Sequence, residues 1–147
     1  MTIGSRHSAC TDRAARLFIR ALGDSAIVRL GGSVRLGLFS EPELDVVLLK
    51  PRADFYAANH PGAADILLII EVADSTLQFD RTVKSAIYAE AGVHEFWLVD
   101  LTSSTIFCSS NGRGRAHRQV RPHRRGDVIA PLLLPDCRIA VSDLLPD

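Results

Sequence analysis

The residue of this sequence with the clearest chemical potential is a glutamate within the most apolar segment. Glu71 interrupts the run 66–73, in which every other residue is aliphatic. Such a composition predicts a strand buried on both faces, where an ionised carboxylate is costly unless a cation, a metal or hydrogen bonds compensate it. Glu71 is therefore either a structural carboxylate held by an arginine or by backbone amides, or a member of a functional site.

Two further acidic residues, Glu43 and Asp45, lie in an earlier segment, 43–49, that predicts a strand. Alternate residues of a strand share a face, so we expect both side chains on one side, about 7 Å apart along the strand. If this strand neighbours that of Glu71, the carboxylates repel each other unless a cation lies between them, and their oxygen ligands suit Mg²⁺. The alternative is the solvated start of a strand, which we favour for Asp45 when it is considered by itself.

Lys84 lies toward the apolar side of the next predicted helix, close in sequence to Val83, Ile87 and Tyr88. The chain strongly prefers arginine, and its only lysines are Lys50 and Lys84. A lysine in this background favours a role for a compact ammonium group, whereas the alternative is a side chain that extends from the helix edge into solvent. Carboxylates, a divalent metal and a lysine together suit phosphodiester hydrolysis, in which the metal activates water and offsets transition-state charge.

Composition and length narrow the class of protein. The 147 residues, with 47% hydrophobic and 23% charged residues, predict one globular domain spanning 1–147. The formal net charge is zero, so attraction to nucleic acid must be local. Three widely spaced cysteines form no CxxC pair, the N-terminus does not resemble a signal peptide, and no apolar run is long enough to span a bilayer. We therefore expect a soluble cytoplasmic protein.

The order of predicted elements indicates an α/β fold with a mixed sheet. A helix over 8–22 ends at Gly23, and strands flank Gly31–Ser33 as a hairpin. The helix that carries Lys84 ends at Gly92, and we interpret Tyr88 as a core aromatic. The five histidines show no metal-ligand spacing. The predicted strands are 26–30, 34–38, 43–49, 66–73, 95–100 and 105–109, with a loop over 50–64.

The segment 113–125 is the one local basic stretch and contains no acidic residue. Its arginines are candidates for phosphate contacts, each of which adds salt-dependent affinity. The alternative, a solvated hairpin, is the more common outcome, since the net charge is zero and no base-reading motif accompanies the stretch. The candidate nucleic-acid-binding residues are Arg113, Arg115, Arg118, Arg121, Arg124 and Arg125.

Four separated motifs occur in an order that resembles a known family. They are EPELDVV at 41–47, DILLIIEVADS at 65–75, DRTVK at 80–84 and YAEAGVHEFWLVDL at 88–101. Together they resemble the bacterial Uma-two family of putative restriction endonucleases, within the PD-(D/E)XK nuclease superfamily. The resemblance implies a restriction-endonuclease-like mixed β-sheet flanked by helices, and a Mg²⁺-dependent endonuclease that hydrolyses DNA. It implies Glu43, Glu71 and Lys84 as catalytic residues, with Glu43 and Glu71 as metal ligands. Because the side chain of Glu43 is one methylene longer than the family's aspartate, we expect Asp45 as a reserve ligand.

The sequence departs from the family pattern in two ways. Glu43 stands where the family has an aspartate, and the chain begins after a helix and hairpin that usually open members of the family, so we expect an N-terminally shortened fold. The superfamily's usual lysine position is Ala73 here, and the family resembled places the lysine on the next helix. The alternative function is a catalytically inactive relative that acts as a nucleic-acid-binding or dimerisation module. We expect a homodimer, because double-strand cleavage usually needs two sites.

Overall fold

The computed structural model describes residues 4–37, 41–42, 44–75, 77–113 and 116–146, and for 77–82 and 111–118 the description is limited to the backbone. Three strands follow the first helix and five follow the second, in a mixed α/β order. Among the helices of these residues, none is long and apolar enough to cross a bilayer. The elements are α1 (Ser5–Leu22), β1 (Ile27–Leu30), β2 (Val46–Leu49), β3 (Ile66–Ala73), α2 (Leu77–Ala91), β4 (Glu95–Asp100), β5 (Thr105–Arg113), β6 (Ala116–Arg124), β7 (Val128–Ile129), β8 (Ile139–Ala140) and α3 (Val141–Leu144).

Six strands in the described part of the chain form one mixed sheet, in the order β1-β2-β3-β4-β5-β6. The central pair, β3 and β4, is parallel and is connected through α2, whereas the other neighbouring strands are antiparallel. The strands β7 and β8 form a separate small sheet. The expectation of a mixed sheet flanked by helices is confirmed.

The sheet is covered by helices on both faces, so it has a hydrophobic core on each side. On one face α1 and α3 contribute Phe18, Val141 and Leu144, and the ring of Phe18 packs 6.0 Å from that of Trp97. On the other face α2 contributes Tyr88, which packs with Phe96 and Leu98. All eight residues of β3 are buried between the two cores, as its composition predicts.

The two long helices end where glycine permits a left-handed backbone. Gly23 follows α1 with φ 51°, and Gly92 follows α2 with φ 86°. The Val93 N–H donates to the carbonyl of Tyr88, a bond that satisfies a helix-terminal acceptor. Both ends agree with the stops predicted from the sequence, although α1 begins at Ser5, earlier than the predicted start at residue 8.

The predicted hairpin of 26–30 with 34–38 is wrong. Strand β1 pairs instead with β2, with Ile27 opposite Leu49 and Leu30 opposite Val46. In the described residues of the segment 34–38, Arg35 makes an isolated bridge to Gly62. The physical reason is that β2 is fully buried and needs hydrogen-bonding partners along both edges, which β1 and β3 provide.

Candidate functional site

The candidate site forms where the carboxyl end of β3 meets the chain entering β2. The antiparallel register places Val46 opposite Ile70, so Asp45, the residue before β2, continues the pairing to the level of Glu71. The backbone N–H of Val72 donates to Oδ2 of Asp45 over 2.8 Å. The predicted neighbourhood of these strands therefore brings Asp45 and Glu71 together. Glu43, the other predicted ligand, lies outside the described residues.

Glu71 is buried, with 3% of its surface exposed, and α2 supplies two partners for the same carboxylate oxygen. The hydroxyl of Tyr88 donates to Oε1 over 2.7 Å, and Nζ of Lys84 lies 3.3 Å from that oxygen. Lys84 and Tyr88 are four residues apart, so the helix presents both side chains on one face. Lys84 keeps 37% of its side chain exposed, so its ammonium group lies at the boundary between Glu71 and solvent.

The electrostatics of Glu71 favour retention of a proton. Burial raises the pKa of Glu71 from 4.5 to about 7, and it is the largest influence. Lys84 and the Tyr88 hydroxyl act in the opposite direction, whereas Asp45 raises the pKa through its charge and a carboxyl–carboxyl hydrogen bond. A proton or a cation shared by the two carboxyl groups would relieve the repulsion between them.

The first turn of α1 adds a residue that the sequence analysis passed over. Nε2 of His7 lies 3.2 Å from Oδ2 of Asp45, the oxygen that also accepts the Val72 N–H. Beside this contact opens a cleft of about 480 Å³, lined by residues of α1 and by Gly31 and Leu44. No local pattern predicts the contact, because His7 and Asp45 are 38 residues apart.

Tyr88 is the second residue whose place in the site was missed. Tyr88 lies four residues after Lys84, and residues at this spacing share one face of a helix. Once Lys84 is a candidate site residue, the spacing therefore indicates that Tyr88 lies beside it. The ring of Tyr88 is a core aromatic, as the sequence predicts, and its centroid lies 4.9 Å from that of Phe96. Its hydroxyl is the part that reaches Glu71.

A second buried carboxylate shows what a structural glutamate looks like in this fold. Glu95 is 4% exposed and lies on the opposite face of the sheet. Its two oxygens accept the Trp97 indole N–H over 2.7 Å and the Leu132 backbone N–H over 2.8 Å. Both partners are neutral donors. Glu71 differs because its described partners include a lysine and a second carboxyl group.

The donor set of the site suits a hard divalent cation. Asp45 and Glu71 offer carboxylate oxygens, and a cation between them would take the place of the proton that the raised pKa of Glu71 retains. Within the residues that the structure describes, no group of three His, Cys, Asp or Glu side chains is placed to hold a metal ion. Two carboxylates still match magnesium, which usually keeps several waters and is bound by one or two carboxylates.

The predicted arginines do not share one face of the sheet. Arg121 pairs with Cys108 and projects to the α1 face, whereas Arg124 pairs with Thr105 and projects to the face of Glu71. Arg125 donates to the carbonyl of Pro146 over 2.9 Å. Arg113 and Arg118 are described by their backbone alone, in β5 and β6. Arg115 lies outside the described residues.

Comparison with solved structures defines the class of fold. The chain matches the crystal structure of a putative nuclease belonging to DUF820 from Anabaena variabilis ATCC 29413, with a TM-score of 0.75 and 15% identity, over 98% of this chain and 82% of that one. It also matches the type IIG restriction endonuclease BpuSI, with a TM-score of 0.50 and 18% identity. That match covers 94% of this chain and 14% of the enzyme. The fold is therefore that of the restriction-endonuclease-like nucleases.

Comparison with family models is more specific. Residues 1–142 match the model of the Uma2 family, described as putative restriction endonuclease, and the chain belongs to this family. The resemblance drawn from the four sequence motifs is thereby confirmed. No curated protein matches the chain.

Proposed function

We propose that the chain is a metal-dependent DNA endonuclease that hydrolyses phosphodiester bonds at the site of Asp45, Glu71 and Lys84. The observation that carries the proposal is the position of Lys84, 3.3 Å from a buried glutamate whose pKa is raised partly by a neighbouring aspartate. Such a cluster favours binding of a cation and of an anionic substrate next to it. Membership of the Uma2 family supports the reaction class.

Asp45 and Glu71 would hold Mg²⁺ in this proposal, with Glu43 as the further ligand expected from the sequence. When bound, the metal supplies a water of lowered pKa and offsets negative charge at the scissile phosphate. The Val72 N–H holds one oxygen of Asp45, and the Tyr88 hydroxyl holds one oxygen of Glu71, so both carboxylates are oriented before substrate arrives.

Lys84 has the geometry for a separate task. Its side chain is held at one end by Glu71 and is partly exposed, so the ammonium group can donate to a phosphate oxygen or to the attacking water. A positively charged donor directed at developing negative charge stabilises the transition state more than the ground state. Lys84 is therefore proposed as the catalytic lysine.

DNA is the proposed substrate, and Arg124 is the member of the basic stretch best placed to contact its backbone, because it projects to the face of Glu71. A homodimer remains the expected assembly for double-strand cleavage. The alternative function is a catalytically inactive relative that acts as a nucleic-acid-binding or dimerisation module, which the glutamate at position 43, in place of the family's aspartate, favours. The two functions differ in their need for magnesium.

The test is a calorimetric titration of Mg²⁺ into the wild type and Glu71→Gln, followed by plasmid cleavage with both proteins. Glu95→Gln is the matched control, because Glu95 is an equally buried strand glutamate on the other face. We expect Glu71→Gln to lose both binding and cleavage and Glu95→Gln to retain them. Salt-dependent DNA binding that ignores magnesium, without cleavage by the wild type, would support the inactive module instead.

A further inference from the structure

We infer that His7 is a positioning residue that orients Asp45 for the carboxylate site, an inference that rests on the proposed function. Nε2 of His7 lies 3.2 Å from Oδ2 of Asp45. This contact connects the first turn of α1 to the residue that precedes β2. Helix α1 packs on the face of the sheet opposite to Glu71, and the contact through His7 makes it a part of the candidate site.

The geometry around Asp45 explains why its side chain needs such a contact. Asp45 precedes β2, and its backbone carbonyl accepts the N–H of Gly31 over 3.0 Å. That bond holds the main chain but leaves the carboxylate free to rotate. The Val72 N–H and the His7 ring both meet Oδ2, so two donors from different elements select one rotamer. Asp45 then presents its carboxyl group to Glu71, and its charge raises the pKa of Glu71.

The environment of the His7 ring supports this role over that of a surface side chain. The side chain is 18% exposed, and Nδ1 is buried without a hydrogen-bond partner among the described residues. Oδ2 of Asp45 also accepts the Val72 N–H, so Nε2 is the donor in the contact between His7 and Asp45. Nε2 is therefore the ring nitrogen with a described hydrogen bond, and this bond to Asp45 defines the orientation of the imidazole ring.

The expected size of the effect follows from the way ligand-orienting residues act in other metal sites. Removal of such a partner typically lowers metal affinity or activity by about 10- to 100-fold, because the ligand samples more than one orientation. His7 does not replace Asp45 or Glu71 as a ligand in this inference. Its loss therefore weakens metal binding without abolishing the two carboxylates that provide it.

The experiment compares His7→Leu with His7→Gln. Leucine keeps a similar volume and high helix propensity but has no donor, whereas glutamine carries an amide donor at the position of Nε2. His7→Ala is a second loss variant in case leucine prevents folding. Thr11→Ala is the control, because the Thr11 hydroxyl donates within α1, to the carbonyl of His7, over 2.9 Å. Each variant is checked by circular dichroism.

Two readouts are measured on each protein. The first is Mg²⁺ affinity by calorimetry, for which we expect a loss of about tenfold or more in His7→Leu and His7→Ala, and rescue by glutamine. The second needs no metal: the amide proton shift of Val72 in the NMR spectrum reports its hydrogen bond to the Asp45 carboxylate. We expect that resonance to move upfield in both loss variants and to stay near its wild-type position in His7→Gln and Thr11→Ala.

The outcomes separate this inference from the proposed function. If the wild type binds no magnesium but the loss variants move the Val72 resonance, the proposed function fails and the positioning of Asp45 by His7 stands. Unchanged Val72 resonances in both loss variants overturn the inference whatever the metal affinity. If the wild type does bind magnesium, a moved resonance with unchanged metal affinity in the loss variants also overturns it, because the orientation of Asp45 would then have no consequence for the site.

Discussion

The hydroxyl of Tyr88 donates a hydrogen bond of 2.7 Å to Oε1 of Glu71, across the interface between α2 and the sheet. The same ring packs edge-on against Phe96, with centroids 4.9 Å apart. One side chain thus belongs to the hydrophobic core through its ring and to the candidate site through its oxygen. This arrangement attaches the carboxylate to the hydrophobic core between α2 and the sheet.

Replacement of Tyr88 by phenylalanine tests the hydroxyl while the ring remains. The hydrogen bond favours the ionised carboxylate, so Tyr88→Phe should raise the pKa of Glu71 above its value of about 7. Loss of one buried hydrogen bond should also lower the free energy of unfolding by about 1–2 kcal/mol. Carbon-13 NMR of the glutamate carboxyl groups and urea unfolding measure the two effects. A pKa of Glu71 that is unchanged or lower in the variant would contradict the assignment.

The raised pKa of Glu71 makes a prediction about stability and pH. Between pH 4.5 and about 7 the unfolded chain releases the Glu71 proton and the folded chain retains it, so the free energy of unfolding falls as pH rises. The full cost, about 3 kcal/mol from the difference between 4.5 and about 7, is present above pH 7. Glutamine has no ionisable group, so Glu71→Gln removes this cost. The free energy of unfolding of the variant should therefore exceed that of the wild type at pH 8, and the difference should shrink toward pH 5.

Urea unfolding of both proteins at several pH values between 5 and 8 provides the measurement. The difference between the two proteins isolates Glu71, because all other titrating groups are common to both. A difference that stays constant over this pH range would refute the assignment of a raised pKa to Glu71.

Lys84 and Lys50 form a matched pair, since they are the only lysines in the chain. Lys84→Met should lower the rate of plasmid cleavage by about 100-fold or more, the usual effect of removing one donor to the transition state. Magnesium binding should persist, because the carboxylates remain. Lys50 is exposed, in the loop that follows β2, so Lys50→Met should cleave at the wild-type rate. An equal loss in both variants would indicate an effect of net charge.

Arg121 and Arg124 test which face of the sheet meets DNA. Both are exposed residues of β6, but Arg124 projects to the face of Glu71 and Arg121 to the opposite face. We expect Arg124→Ala to weaken duplex binding and to reduce the slope of log affinity against log salt by about 1, the effect of losing one phosphate contact. Arg121→Ala should leave the slope near that of the wild type. Fluorescence anisotropy at several salt concentrations measures both, and equal effects would contradict the proposed approach of DNA.

The elements that the sequence determined are those whose signals lie within one segment. The apolar composition of 66–73 defines β3 with the bounds that the structure has, and Gly23 and Gly92 end α1 and α2 as predicted. Glu71 is recognisable for the same reason. It is the one charged residue among the aliphatic residues of 66–73, and burial of an ionised carboxylate there is costly in free energy.

The pairing of strands could not be predicted from the local sequence. The glycines at 31 and 32 favour a hairpin, yet β1 pairs with β2 across a long intervening segment, because buried strands compete for hydrogen-bonding edges over the whole sheet. The opposite orientations of Arg121 and Arg124 likewise depend on the register of β6 against β5.

Thus the sequence by itself determined the family motifs and the central strand, and it singled out two members of the candidate site, Glu71 and Lys84, because each carries its signal in residue type and short-range spacing. The tertiary structure alone decided that Asp45 lies beside Glu71 and that His7 holds Asp45, since these contacts join residues 26 and 38 positions apart. It also decided the direction of the Tyr88 hydroxyl. Contacts of that range depend on how helices pack on both faces of the sheet, and packing is a property of the whole chain.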